Sequence, residues 1–292
     1  MLSSTKTNWY TSLYHLYLQP NDWADADGRT RGADGAVRAG AAGSAYTTLS
    51  LWDTFRAAQP WYTLAAPEIA AGVVRSLLAQ GREIGRIPVM SHGGRNVDCM
   101  IGNHGVSVIV DAFLKSRAGE LGGLDDIDWE AAYRLVNETL TQEHAGKIKE
   151  DWPVYDRHGY YPFDLIRAES VSRTLECGFD DWCAAQMAER LGHGTDAAFF
   201  ARRAAGWRKV FDPSLGLVRG RDAKGGWRTP FNPYALGGGD ERANDFTEGN
   251  AFQYTWHVLQ DPEGLVAAMG GREAFAARLD ALFALPESAE GM

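Results

Sequence analysis

Residues 100–115, Met100-Ile101-Gly102-Asn103-His104-Gly105-Val106-Ser107-Val108-Ile109-Val110-Asp111-Ala112-Phe113-Leu114-Lys115, are apolar on nearly every side when wound at a helical period. A surface helix shows one apolar stripe; a helix that is apolar all round is enclosed by its neighbours. The pattern predicts a buried helix over 100–115. One polar stripe interrupts it: His104, Ser107 and Asp111 stand at i, i+3 and i+7 on one face. A buried, unpaired aspartate is costly, so Asp111 needs partners. Those are either a structural ion pair or N–H donor, or the wall of a binding site.

Helices are expected on both sides of this one. Residues 8–18 read as a helix stopped by Pro20, and 47–58 as a helix ending before Pro60. Pro67 suits the first turn of a helix running to about Gln80. Trp129–Thr141 is amphipathic with acidic residues at its start. Residues 169–191 form the longest helix, broken by Gly192, and 195–210 follow. Shorter helices are expected over 249–258, 262–269 and Arg272–Phe283. Between them lie loops. Residues 21–43, with seven charges and five glycines, leave room for a short β-hairpin. Residues 85–96 and 144–163 are the next loops. Residues 211–246 are the longest stretch without helical period, and long loops inside compact domains are often functional. Strand signals are almost absent, so the fold class is all-α. No repeat of 34 residues or similar appears, which disfavours a helical solenoid.

The chain has 292 residues, 45% hydrophobic and 11% aromatic, with ten tryptophans and a formal charge of −9. This is a globular composition. With no block of Lys and Arg, nucleic acid and anionic membranes are excluded as expected partners; a neutral, hydroxyl-rich substrate fits. The tryptophans serve core packing or carbohydrate stacking. The three cysteines, Cys99, Cys177 and Cys183, lack both disulfide-framework and zinc spacing. All three read as small buried hydrophobes. Met1–Thr7 lacks the apolar core of a signal peptide, and no apolar run approaches a membrane span.

The chemistry concentrates in 247–256, Thr247-Glu248-Gly249-Asn250-Ala251-Phe252-Gln253-Tyr254-Thr255-Trp256. A carboxylate sits beside a Gly-Asn pair, followed by aromatics and an amide. Sugar cleavage needs that set: a carboxyl group to protonate the glycosidic oxygen, aromatic faces for the ring, and amides for hydroxyls. Three further segments stand out. Ser50-Leu51-Trp52-Asp53-Thr54-Phe55-Arg56-Ala57 puts Asp53 beside Trp52, with Arg56 at helical pairing distance. Cys99-Met100-Ile101-Gly102-Asn103-His104 opens the buried helix. Ser170-Val171-Ser172-Arg173-Thr174-Leu175-Glu176, with Phe179-Asp180-Asp181-Trp182-Cys183 after it, puts Val171, Leu175, Phe179 and Trp182 on one face at ~100° per residue. Glu169, Arg173, Glu176 and Asp180 fall on the other. Such a charged face is ordinarily solvated, but Met187 and Leu191 extend it as apolar residues. It is therefore not expected to be open to water along its whole length.

In this order, from about Asn8 to about Phe283, these segments resemble the catalytic domain of glycoside hydrolase family 92, the calcium-dependent exo-acting α-mannosidases. The resemblance implies an incomplete (α/α) barrel, with 100–115 and 169–191 among its inner helices. It implies a single partial catalytic domain over 1–292, with an N-terminal β-sandwich domain and the last part of the barrel absent. It also implies an inverting, α-1,2-mannosidase-like activity on mannan or N-glycan oligosaccharides. Glu248 then matches the family's catalytic acid. A general acid working near neutral pH needs a raised pKa, so Glu248 is expected to lie beneath Phe246, Phe252 and Trp256 or to feel the charge of Asp245. Asp53 matches the aspartate that contacts mannose hydroxyls. Trp52, Asn103, His104, Glu176, Asp180, Asp181, Asn250 and Gln253 complete the expected substrate-binding set, with Asp53, Asn103, His104, Glu176, Asp180, Asp181 and Glu248 lining one concavity. Calcium ligands and the general base are expected beyond this sequence, so the chain alone is expected to turn over slowly. Relatives of this kind are usually exported. Exposed barrel ends would favour self-association. Two alternatives remain: another (α/α)-barrel glycosidase acting on glucosides, and a helical domain that binds carbohydrate without cleaving it.

Overall fold

A computed structural model describes residues 2–39, 45–143, 151–166, 168–237 and 244–285. Parts of the expected loops over 21–43, 144–163 and 211–246, and the polar end after residue 285, lie outside the described residues. The chain divides into two compact units, Met1–Ile148 and Lys149–Met292. Helices dominate both; the described strands are two or three residues long and pair only as two-stranded ribbons.

In the first unit the elements run α1 (Leu2–Leu16), β1 (Asn21–Asp22), β2 (Arg29–Arg31), β3 (Val37–Ala39), β4 (Tyr46–Thr47), α2 (Leu51–Thr54), α3 (Ala58–Ala65), α4 (Pro67–Ile84), β5 (Ser91–His92), β6 (Arg95–Asn96), α5 (Gly105–Arg117) and α6 (Trp129–Thr141). The hairpin foreseen in 21–43 is β2–β3. Helix α5 is the centre of this unit. Val106, Ile109, Val110, Ala112 and Phe113 are all buried, as their all-round apolarity requires. It packs on α3 and α4, and α4 packs on α6. It begins at Gly105 and not at residue 100, because Met100 and Gly102 take left-handed backbone angles (φ 68° and 70°) that no right-handed helix contains.

Prolines and glycines act differently here from their usual punctuation. Pro60 was expected to stop a helix; it sits in the first turn of α3, where the missing N–H has no intrahelical acceptor to lose. The break falls earlier, at residues 55–57. Helix α4 runs through Gly81 to Ile84, and Gly85 (φ 79°) ends it in the left-handed conformation. Gly81 is there for proximity: a Cβ on it would lie 2.6 Å from Leu135 of α6.

The second unit holds α7 (Trp152–His158), α8 (Ser170–Leu191), α9 (Gly194–Ala204), α10 (Trp207–Val210), β7 (Phe211–Asp212), β8 (Leu217–Val218), α11 (Ala251–Tyr254), α12 (Pro262–Ala268) and α13 (Arg272–Phe283). Helix α7 was read as loop; at seven residues it has too few turns to show a period. Helices α8 and α9 are joined at Gly192-His193 and pack along one another as an αα-hairpin. The core of this unit gathers Val171, Leu175, Trp207, Val210, Phe246 and Tyr254.

Helix α8 is enclosed on both faces: Val171 and Leu175 are 0% exposed on the apolar side, and the charged side is closed to water at Glu176 and Asp180, as its apolar continuation suggested. Phe179 and Trp182 are half-buried. Glu176, Asp180 and Asp181 are 0% exposed. Polar partners from other elements meet these buried carboxylates. Arg203 of α9 donates to both oxygens of Asp181, with Nη2 2.5 Å from Oδ1 and Nε 3.0 Å from Oδ2. His257 Nε2 stands 2.9 Å from Glu176 Oε2.

Candidate active site

In the first unit, the Ser50–Ala57 and Cys99–His104 segments meet. The His104 imidazole, 1% exposed, stacks on Phe55 with ring centroids 3.9 Å apart and planes within 13°. Asn103 is buried and its Nδ2 donates to Ile87 O at 3.1 Å, which ties the turn before α5 to the chain before β5. Asp53 is exposed on α2, with Ser50 Oγ donating to its Oδ2 at 2.5 Å. Trp52 is half-buried, and the Arg56 guanidinium lies over the rings of Trp52 and Phe55. Asp111 takes the structural alternative: Lys115 Nζ donates to it at 2.7 Å and to Thr63 Oγ1 at the same distance.

In the second unit, the segment around Glu248 is fastened at both ends. The chain before it lies across the N-terminus of α8, where the first N–H groups of a helix lack intrahelical acceptors. Asp245 O accepts from Val171 N and Ser172 N at 3.0 and 3.2 Å, and Asn244 O accepts from Glu169 N at 2.6 Å. Thr247 N donates to Ser172 Oγ, and Thr247 Oγ1 donates to Glu169 Oε1, each at 2.9 Å. Tyr254 Oη donates to Thr247 O at 2.7 Å. The chain after it enters α11 through a capping box: Asn250 Oδ1 accepts from Gln253 N at 3.1 Å, and Gln253 Oε1 accepts from Asn250 N at 3.0 Å. Gly237 N donates to Gly249 O at 2.8 Å.

Between these anchors Glu248 takes φ 46°, a left-handed angle that costs an L-residue roughly 1–2 kcal/mol. Thr247, Gly249 and Asn250 are buried while the Glu248 side chain is exposed. The expected cover by Phe246, Phe252 and Trp256 is not observed. Phe246 packs into the core, Phe252 stacks on Tyr234 and Trp256 packs edge-on against Phe275. Asp245, expected to press its charge on Glu248, is engaged by Arg228 instead, with Nη2 2.7 Å from Oδ1. The amide oxygens of Asn250 and Gln253 are committed to the capping box; Asn250 is buried and Gln253 exposed.

The three carboxylates of α8 lie in the interior. Complete burial pushes the Asp181 carboxyl up to about 6, against the pull of Arg203 and of the Tyr155 hydroxyl. Arg203 is itself raised by the carboxylate beside it and stays charged. Burial also pushes the Cys177 thiol up, with Asp180 and Asp181 adding to the effect. Cys177 and Cys183 are buried as expected; Cys99 is exposed, because it sits in the turns before α5 and not in a helix.

Among the described residues no group of three or more His, Cys, Asp or Glu side chains is arranged to hold a metal ion. Calcium takes several oxygen donors converging on one point, and the carboxylates of the described residues do not gather in threes to supply them.

Non-glycine residues with positive φ, among those described, are Thr48, Met100, Glu169 and Glu248. Met100 and Glu248 lie within segments singled out above, Glu169 directly precedes one, and Thr48 stands two residues before another. Backbone strain of this sort gathers at functional sites. Sequence reasoning missed Asp245, Arg228 and Thr247 as supports of Glu248; their partners lie 17 to 78 residues away, and no local pattern announces such pairings.

The fold is helix-rich, and it mounts the exposed Glu248 carboxylate on a strained turn fastened on both sides. The chain belongs to glycosyl hydrolase family 92: the model of that family's catalytic domain matches residues 2–292. Among solved structures, it is similar to a family 92 α-mannosidase of Bacteroides thetaiotaomicron in complex with mannoimidazole. That likeness has 39% identity and a TM-score of 0.85, over 98% of this chain and 36% of that protein. It is also similar to a family 92 inverting mannosidase of the same organism, with 35% identity and a TM-score of 0.83, over 96% of this chain and 37% of that protein. A curated relative, an uncharacterized secreted glycosidase of Arthroderma benhamiae, is 27% identical over 213 residues, which is 62% of this chain and 26% of that protein. The chain thus spans about a third or less of the length of these relatives.

Proposed function

We propose that this chain supplies the general acid of an exo-acting, α-1,2-mannosidase-like hydrolase that releases mannose from mannan or N-glycan oligosaccharides with inversion. Glu248 is the acid that protonates the departing glycosidic oxygen. The observation that carries this reading is its exposed carboxylate on a left-handed backbone fastened on both sides. Similarity to α-mannosidases, one of them inverting, supports the substrate and the stereochemistry.

Inversion needs a second carboxylate about 6.5–9.5 Å from the acid, with a water between. Asp181 does not suit that part: its oxygens already accept from Arg203 and Tyr155, and no face of it is open to water. The base is assigned to a carboxylate outside the described residues, and calcium, which the family resemblance implies, to ligands outside them as well. Asp53, exposed and oriented by Ser50, is assigned to mannose hydroxyls, with Trp52, Asn103 and His104 shaping the surface around it. The amide NH2 groups of Asn250 and Gln253 are assigned to hydroxyls near Glu248. Glu176, Asp180 and Asp181 enter as supports of α8. The whole is taken as one partial catalytic domain.

The test uses the polypeptide as the organism makes it. Turnover of an α-1,2-mannobiose, whose leaving group must be protonated, is compared with that of dinitrophenyl α-mannoside, whose leaving group need not be. Glu248→Gln is expected to lose about 10²–10⁴-fold on the first and little on the second. Equal loss on both, or release of glucose from α-glucobioses faster than mannose from mannobiose, would sink the assignment.

A further inference from the structure

We infer that Asp245 is a positioning residue for Glu248, acting through the N-terminus of α8; this inference rests on the reading of Glu248 as the acid. Asp245 is 4% exposed, and a buried carboxylate is stabilising only if it is fully paired. It is paired on every side that the structure records. Oδ1 accepts from Ser170 Oγ at 2.7 Å and from Arg228 Nη2 at 2.7 Å, and Oδ2 accepts from Arg228 Nε. Its carbonyl oxygen takes the N–H groups of Val171 and Ser172. One residue thus grips the first turn of α8 with both its side chain and its backbone. The seat is tight: a Cβ on Gly220 would lie 2.1 Å from Asp245 Oδ2, so a side chain there would displace the carboxylate. Arg228 is in turn held over the Phe163 ring at 3.9 Å.

Three residues later the chain reaches Glu248 at φ 46°. An unfavourable backbone angle persists only where its surroundings over-determine it. Downstream, the capping box and the Gly237–Gly249 hydrogen bond hold the chain. Upstream, the Asp245 clamp and the Thr247 hydrogen bonds do so. Well-packed apolar residues of similar volume often stabilise a fold as well as a buried ion pair does. What the pair supplies in addition is register, because the carboxylate and guanidinium fit in one bidentate arrangement. A shift of the upstream anchor would move the Glu248 carboxylate relative to the glycosidic oxygen.

The experiment compares Asp245→Asn and Ser170→Ala with Glu248→Gln in the polypeptide as the organism makes it, on the α-1,2-mannobiose and on dinitrophenyl α-mannoside. Asp245→Asn is expected to lower kcat on the mannobiose by about 10–100-fold, with KM within about twofold and turnover of the aryl mannoside nearly unchanged. Ser170→Ala, which removes one hydrogen bond and serves if Asp245→Asn does not fold, is expected to show the same selectivity at about 3–10-fold. Equal losses on both substrates, or a change confined to KM, would overturn the positioning role, since a merely structural defect does not discriminate leaving groups. The two readings separate cleanly. Leaving-group dependence in Glu248→Gln but not in Asp245→Asn or Ser170→Ala defeats the positioning role alone. Its absence in Glu248→Gln defeats the acid assignment itself.

Discussion

Glu248 shows how one residue can work against the stability of its fold. At φ 46° its side chain crowds its own backbone, and its carboxylate is exposed. Replacement by glycine removes a penalty of roughly 1–2 kcal/mol and adds about 0.5–1 kcal/mol of unfolded-chain entropy. Glu248→Gly is therefore expected to leave stability unchanged or raise it slightly, with thermal unfolding shifted by about 0–4 °C, while mannobiose turnover is lost. A fall of several degrees would mean that the Glu248 side chain makes contacts that stabilise the turn. Asp53 makes the contrasting case. It is exposed too, but it rests on an ordinary helical turn with a serine beside it.

At the scale of elements, α8 is organised by charges that never reach solvent. Asp181 and Arg203 close the α8–α9 hairpin, and the guanidinium also lies over the rings of Trp152, Tyr155 and Phe199. Arg203→Met keeps the bulk and removes the cation, leaving a buried carboxylate without it. The expected cost is about 3–5 kcal/mol at pH 7, read from urea unfolding. The pH dependence has a definite sign. Asp181 is raised in the folded state to about 6 from an ordinary 3.8, so the native protein binds the extra proton. Its contribution to stability is full below pH 3.8 and is lost as the pH rises through about 6. Without Arg203 the carboxyl rises further, so the deficit of Arg203→Met should be smaller at pH 4 than at pH 7. A deficit independent of pH would place the loss in packing instead.

For the molecule as a whole, charge and exposed apolar surface pull in opposite directions. A formal charge of −9 favours dispersal, since like-charged copies repel. Yet α1 exposes Trp9, Tyr10 and Tyr14, and Phe283 on α13 is 82% exposed. Large exposed aromatics grouped on one element mark surfaces that bury themselves against something. Self-association is therefore expected when the chain is studied by itself, stronger in salt that screens the charge. Sedimentation velocity at low and high ionic strength checks this, and a monomer at both would dismiss it.

Much of the architecture was legible in the chain. The spans Trp129–Thr141 and Arg272–Phe283 coincide with α6 and α13, and α8 begins within one residue of its expected start. Period and caps are local properties, carried by residues three or four apart, so they survive without a partner. The all-round apolarity of α5 likewise announced its burial. The motif around Glu248 was legible as chemistry, because a carboxylate among amides and aromatics is rare enough to be informative. What only the tertiary structure decided was which way things face. Glu169, Arg173, Glu176 and Asp180 read as a charged face not wholly open to water, but the sequence did not say which partners would meet it or the neighbouring Asp181; the fold brings His257 to Glu176 and Arg203 to Asp181. Glu248 read as covered, but its turn directs it outward. Asp245 read as a neighbouring charge, but Ser170 and Arg228 made it a clamp. The physical reason is the same in each case. Polarity along a helix tells what a face can bond to, whereas burial depends on whether a partner arrives, and these partners come from 17 to 81 residues away.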